Sequence, residues 1–327
     1  IDVCFSIFMA PNKMFRNTTG ENNGQISFTD VTELTGIVGP INSFPNWFFD
    51  YDNDGDLDLF IAAFDNEKLE RIPKYLLGLP YTDDTNELYR NNGDGTFTSV
   101  TKAYKLDQPT VAMGCNYGDL DNDGWLDFYL GTGNPDFRSL LPNLMFRNNA
   151  GKDFQDVTYT GGFGHLQKGH GIAFGDIDMD GDQDIYHVLG GALQGDDFTN
   201  ILLENPGHGN KWISINLVGT KSNRDGIGAS IKVTAVYADG RKRNIYQHVN
   251  TGASFGSSPL RKEIGLGNAV AIKELEIVWP GKVTIQKFTN IQPNQFITVH
   301  EESNQVVYDR FVPVQFKPAM DHSMQHM

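Results

Sequence analysis

Two cysteines, Cys4 and Cys115, are the only thiols in 327 residues, which excludes a disulfide framework or a cysteine-ligated metal cluster. Whether the two pair is open at the level of sequence. No apolar run approaches the ~18 residues of a membrane-spanning helix, and no signal peptide is visible. Positive charge is scarce: 26 Lys and Arg face 41 Asp and Glu, and the net charge of −15 argues against a nucleic-acid partner. The eight histidines lack metal-ligand spacing, and neither an H-E-x-x-H motif nor a P-loop is present. Gly252-Ala253-Ser254-Phe255-Gly256 fits G-x-S-x-G in form, but Ser257, Ser258 and Pro259 follow in place of the helix that a nucleophile elbow requires. The chain therefore reads as a non-enzyme.

What the chain has in abundance is aspartate in one arrangement, three times over. The loops run Asp50-Tyr51-Asp52-Asn53-Asp54-Gly55-Asp56-Leu57-Asp58, Asp119-Leu120-Asp121-Asn122-Asp123-Gly124-Trp125-Leu126-Asp127 and Asp176-Ile177-Asp178-Met179-Asp180-Gly181-Asp182-Gln183-Asp184. Carboxylates take the first, third, fifth and ninth places, and glycine takes the sixth, where a sharp turn is needed. Two carboxylates ~5 Å apart repel by roughly 3 kcal/mol at an effective dielectric near 20, so four converging ones require a divalent ion or protons. All-oxygen ligands without a phosphate indicate Ca²⁺ rather than zinc, copper or magnesium. By analogy with the EF-hand, the seventh-place carbonyls of Asp56, Trp125 and Asp182 complete each shell. About three ions are expected, and weak calcium loops of this kind suit extracellular, cell-surface or periplasmic conditions.

Aromatic and β-branched stretches flank every loop, such as Asn46-Trp47-Phe48-Phe49 before the first and Leu59-Phe60-Ile61-Ala62 after it, so strands rather than helices are joined. A second block, Leu88-Tyr89-Arg90-Asn91-Asn92-Gly93 and again Leu144-Met145-Phe146-Arg147-Asn148-Asn149, leads through a turn to a further strand. The loops begin at residues 50, 119 and 176, and four strands per unit at that spacing predict propeller blades. An insertion near Glu67–Leu77 lengthens the first unit as a short helix or binding loop. Met14-Phe15-Arg16-Asn17 repeats the second block, which aligns Asp2 with Asp58 and leads to the expectation of a further acidic loop upstream. A four-bladed ring completed by the N-terminal strand is the alternative.

Beyond Asn205-Pro206-Gly207 the acidic loops cease and alternating strands such as Lys211–Leu217 and Ser230–Val236 begin, which predicts a small β-sandwich-like domain. The expected organisation is a blade region over 1–206, a β domain over 207–302 and a tail over 303–327. The tail's final His and Met residues, Met320 to Met327, have the donor chemistry of a Cu(I) ligand, with docking onto a partner as the simpler role.

The three loops, with Tyr117-Gly118 and Phe174-Gly175 before two of them, resemble FG-GAP (VCBS-type) repeats of integrin-like propellers. Asn223-Arg224-Asp225-Gly226-Ile227-Gly228-Ala229, with Gly265-Leu266-Gly267 and Val278-Trp279-Pro280-Gly281, resembles the ASPIC/UnbV domain. The pairing is similar to cartilage-acidic-protein-like proteins. It implies an all-β protein, with FG-GAP-type propeller blades followed by a small β domain. The function implied is a non-catalytic adhesion or binding module with a protein or glycan partner at the cell surface or matrix. A carbohydrate-binding propeller, with Trp47, Trp125 or Tyr129 stacking on sugars, is one alternative. Another is a structural subunit assembled into an envelope complex or surface filament.

Overall fold

The computed structural model describes residues 2–81, 84–133, 141–191, 194–282 and 284–316. Met320 to Met327 lie outside the described residues.

Four small antiparallel sheets follow one another along the chain. The first holds β1 (Val3–Phe5), β2 (Lys13–Asn17) and β3 (Phe28–Asp30). The second is β4 (Ser43–Phe49), β5 (Asp58–Ala63), β6 (Glu87–Asn91) and β7 (Phe97–Ser99) in sequential order. The third repeats it with β8 (Ala112–Gly118), β9 (Asp127–Thr132), β10 (Leu144–Asn148) and β11 (Phe154–Asp156). The fourth stops after β12 (Gly169–Gly175), β13 (Asp184–Leu189) and β14 (Ile201–Leu203). These are propeller-type blades, two complete and two three-stranded, and they do not close into a barrel. Helix α1 (Thr32–Thr35) follows β3, and the insertion of the first unit forms helix α2 (Arg71–Leu76).

Each acidic loop links a blade's first strand to its second in one register: Phe49 faces Asp58, Gly118 faces Asp127 and Gly175 faces Asp184. That register aims alternate aromatic residues between neighbouring blades. Trp47, Phe49, Phe60, Tyr117, Phe128, Phe146 and Phe154 are buried in one cluster, with Trp47 and Phe60 ring centres 4.5 Å apart. At roughly 25 cal/mol per Å² of apolar area removed from water, such rings dominate the cohesion between blades.

Eight further strands form two sheets. One runs in the order β18 (Lys262–Gly267), β15 (Lys211–Val218), β21 (Gln295–His300), β22 (Val306–Asp309), with β15 and β21 parallel. The other runs β17 (Lys242–His248), β16 (Ser230–Val236), β19 (Ala271–Val278), β20 (Ile285–Phe288). Their alternating inward residues share a core that includes Ile213, Ile215, Val233, Leu275, Ile277 and Trp279. Strand β22 falls within the stretch expected as tail: Val306-Val307-Tyr308-Asp309 pairs with β21 and extends that sheet. Farther on, the Val314 amide donates to the Asp178 carbonyl at 2.7 Å.

The segment between β17 and β18 lies along the innermost strands of the blades. Ser254 bridges Cys115 through both backbone groups, at 3.1 and 3.2 Å. The Phe255 ring lies 5.5 Å from Phe44, and Ser258 Oγ accepts from the Phe174 amide at 3.3 Å. The approach is close enough that a Cβ on Gly256 would stand 1.9 Å from the Ile172 carbonyl oxygen. Cys115 is buried, Cys4 is half-buried and both are free thiols. Ser254, in this bridge, has no helix behind it.

Candidate metal centres

Backbone geometry folds each acidic loop around its first aspartate. The Asp50 carboxylate accepts from the Asp54 and Gly55 amides at 3.2 and 2.9 Å. Asp119 accepts from Asp123 and Gly124 at 2.9 and 2.8 Å, and Asp176 from Asp180 and Gly181 at 3.0 Å each. The fourth place needs a left-handed residue, and Asn53, Asn122 and Met179 take it at φ 58, 55 and 63°. At the sixth place Gly181 has φ 101°, and a Cβ there would lie 1.9 Å from the Trp212 ring.

The ninth aspartate closes the loop and ties it to the blade's third strand. Asp58 accepts from the Tyr51 amide at 3.3 Å and the Asn91 amide at 2.9 Å. Asp127 does so from Leu120 and Asn148 at 3.0 and 2.7 Å, and Asp184 from Ile177 and Asn205 at 3.1 and 2.9 Å. Asp2 accepts from the Asn17 amide at 2.8 Å in the same manner. The three asparagines return a side-chain bond to the loop: Asn91 to Leu57, Asn148 to Leu126 and Asn205 to Gln183, through their carbonyls. Sequence reasoning found the first two in their repeated block but assigned them no role, and it missed Asn205. The signal was present, because Asn148 and Asn205 each stand 21 residues after the ninth aspartate of their own loop.

Oxygen atoms of Asp50, Asp52 and Asp58 gather within 4.8 Å of one another, as do those of Asp119, Asp121 and Asp127, and of Asp176, Asp178 and Asp180. The fifth-place carboxylates also brace the turn. Asp54 accepts from the Asp56 amide at 2.8 Å, Asp123 from Trp125 at 2.9 Å and Asp180 from Asp182 at 3.0 Å. Arg147 pairs with Asp121 at 2.6 Å and Asp123 at 3.3 Å. The Asp182 side chain turns away to accept from Asn122 at 2.5 Å.

Burial first, then neighbouring carboxylates, drives these groups toward protonation. Asp50 and Asp176 are pushed up to about 7, Asp58 to about 8, and Asp123 and Asp184 to about 6. For Asp176 the neighbouring carboxylate that raises it most is Glu263. Asp119 and Asp127 lie well above the ordinary carboxylate range for the same reasons. Asp52 Oδ1 is buried without a hydrogen-bond donor. A buried carboxylate oxygen lacking a donor, among other carboxylates, is the environment that a hard cation completes. The donor set fits a metal ion in all three loops.

The strands after residue 210 press on this same face. Tyr246 donates its amide to Asn53 at 3.0 Å, and Gly265 donates to Asp119 at 3.1 Å. Glu263 accepts from the Asp176 amide at 3.2 Å and from Gln183 at 2.6 Å, while Gln183 accepts from the Asp119 amide at 2.7 Å. A hydrogen-bonded relay thus joins the second loop, the third loop and β18.

The expected sugar-stacking trio is corrected in part. Trp47 and Tyr129 are 2% and 0% exposed, because the strand register turns both rings into the spaces between blades. Trp125 alone is half-exposed, under the Arg243 guanidinium at 5.3 Å. Sequence reasoning also passed over His187, which is buried against Tyr129 at 5.1 Å with both ring nitrogens unpartnered and its pKa lowered to about 3 by burial.

Among known families, residues 75–130 match the model of the FG-GAP-like repeat and residues 219–306 match that of ASPIC and UnbV. No curated protein matches the chain. The first match spans the second acidic loop with the strands on either side of it, and the second spans most of the C-terminal sheets. The chain is an FG-GAP repeat protein with a C-terminal ASPIC/UnbV domain.

Proposed function

We propose that this protein is a non-catalytic, calcium-stabilised binding module that works outside the cell or at its surface. Its blade region covers residues 1–206, and a β domain from 207 onward is packed against the loop face. The observation that carries the reading is the threefold cluster of carboxylates, two of each three buried, with Asp52 Oδ1 lacking any donor. The ligands are Asp50, Asp52, Asp54 and Asp58; Asp119, Asp121, Asp123 and Asp127; and Asp176, Asp178, Asp180 and Asp184, with the Asp56, Trp125 and Asp182 carbonyls. Calcium supplies positive charge that holds these carboxylates ionised. The chain's own contribution is to fix the loop by backbone hydrogen bonds, so that little reorganisation accompanies binding. FG-GAP repeats are typical of extracellular or cell-surface proteins, and among the described residues no helix is long and apolar enough to cross a membrane.

Calcium titration of the chelator-stripped protein, read by calorimetry and metal analysis, tests this. Three ions per chain are expected, falling to two in Asp52→Asn. At free calcium 100 times Kd each site adds about 2.7 kcal/mol to stability, so chelator should lower Tm by more than about 10 °C. A Tm indifferent to chelator together with no bound calcium would overturn the reading.

A further inference from the structure

Against the net charge of −15, one stretch gathers three cationic residues in a row. Arg241, Lys242 and Arg243 follow one another at the start of β17 and open onto a groove of about 610 Å³ whose other walls include Trp125, Tyr237 and Asn210. That volume is within the range of roughly 300–1,000 Å³ usual for small-ligand sites. Arg243 stands between two rings, 5.3 Å from Trp125 and 5.8 Å from Tyr237, and Arg241 lies 5.4 Å from Tyr237 on its own account. Aromatic faces and guanidinium planes therefore alternate along the wall.

The cations are incompletely matched. Arg243 donates one Nη2 bond to the Asp123 carbonyl, and its Nε is buried with no acceptor. Lys242 is exposed and has no ion-pair partner among the described residues. Arg241 is paired with Asp239 at 2.5 Å, but both side chains are mostly in solvent. Asp123 also lines the groove, and its carboxylate is engaged by Arg147 and by the Trp125 amide. An anion entering the groove meets unfilled donors on the exposed Lys242 and Arg241 side chains.

We propose that this groove binds an acidic saccharide. A guanidinium fork receives a carboxylate or sulfate group in bidentate fashion. The exposed parts of Trp125 and Tyr237 offer flat, amphipathic surface to a pyranose ring, and Asn210 and Asn268 at the rim supply amide groups for hydroxyls. No aliphatic side chain lines the groove, so an acidic peptide would find charge but no anchor for its apolar residues. The inference rests on the chain being a binding module and does not require the calcium assignment.

Calorimetry on the full chain tests it with five probes: a hexagalacturonate, a sulfated hexasaccharide, a neutral glucose hexamer, hexaglutamate and inorganic sulfate. At least one acidic hexasaccharide is expected to bind at least tenfold more tightly than both the neutral hexamer and hexaglutamate. Arg241→Gln/Lys242→Gln changes only exposed side chains and should weaken that binding at least tenfold with Tm unchanged; Tyr237→Ala should weaken the saccharide more than inorganic sulfate. Equal affinity for hexaglutamate overturns the saccharide class, and indifference to the double variant overturns the site. Failure of every acidic probe to bind folded protein overturns the proposal. Repeating the titration in chelator separates the readings: saccharide binding that persists after a failed calcium titration leaves this inference standing, and the reverse leaves only the calcium reading.

Discussion

Replacing Asn148 with alanine should cost stability out of proportion to the atoms removed. The side chain is 1% exposed at the end of β10. It donates to the Tyr51 carbonyl of the first loop at 2.9 Å and to the Leu126 carbonyl of the second at 3.2 Å, and it accepts from the Gly151 amide at 2.8 Å. Alanine removes all three bonds while keeping the backbone bond to Asp127. Each buried bond is worth a net ~1 kcal/mol, so the loss should total about 3 kcal/mol, with somewhat more if the orphaned groups stay dry. At about 1.5 °C per kcal/mol for a chain of 327 residues, Tm should fall by roughly 4–5 °C. Asn92→Ala is the control, because its bonds to Thr96 and Thr98 are solvent-exposed and their loss should stay within about 0.5 kcal/mol. Denaturant unfolding in saturating calcium, followed by tryptophan fluorescence, measures both. An Asn148→Ala protein within about 0.5 kcal/mol of wild type, or one no worse than Asn92→Ala, would refute the claim that this asparagine binds two loops together.

Protonation gives a second prediction. The folded-state values near 7 for Asp50 and Asp176 and near 8 for Asp58 lie above those of an unfolded chain. The metal-free fold therefore binds protons that the unfolded chain releases, and its stability falls as pH rises from about 4 to 8. In chelator Tm should be lower at pH 8 than at pH 5.5, with the difference abolished by calcium; an equal or higher Tm at pH 8 in chelator counts against it. Gly181→Ala, which combines a left-handed backbone with the Trp212 ring 1.9 Å from the new Cβ, should destabilise by more than about 2 kcal/mol. Calcium and chelator should show the loss alike, and a near-neutral effect in thermal unfolding would mean that β15 does not press on this loop.

Local signals made much of this fold readable. Ligand spacing in the loops, and short aromatic strands on either side of them, are properties of nine or ten consecutive residues. The blade sheets follow from that pattern without long-range information. Asn205 escaped because its block reads Leu202-Leu203-Glu204-Asn205-Pro206-Gly207, with glutamate where its counterparts have arginine and proline where the second asparagine stood. Trp47 and Tyr129 looked available for ligand because a strand's sequence does not say which of its faces meets another blade. Strand β22, at four residues, is too short to show a period. The Arg243–Trp125 stack and the Glu263–Gln183 relay join residues far apart in sequence, and such pairings are set by how the sheets dock rather than by either segment.

The Asn250–Pro259 segment bears on how the protein is made. It bonds Ser254 to Cys115 and Ser258 to Phe174, so inner strands of two blades receive their last partners from a stretch synthesised much later. During translation the blades emerge with that inner edge bare, and contacts of such long sequence separation form slowly. Only when the ribosome has passed Pro259 can the edge be covered. A nascent chain stalled between Gly207 and Asn250 would thus expose unpaired strand to neighbours and chaperones, while the finished molecule should unfold as one cooperative unit rather than as separate halves.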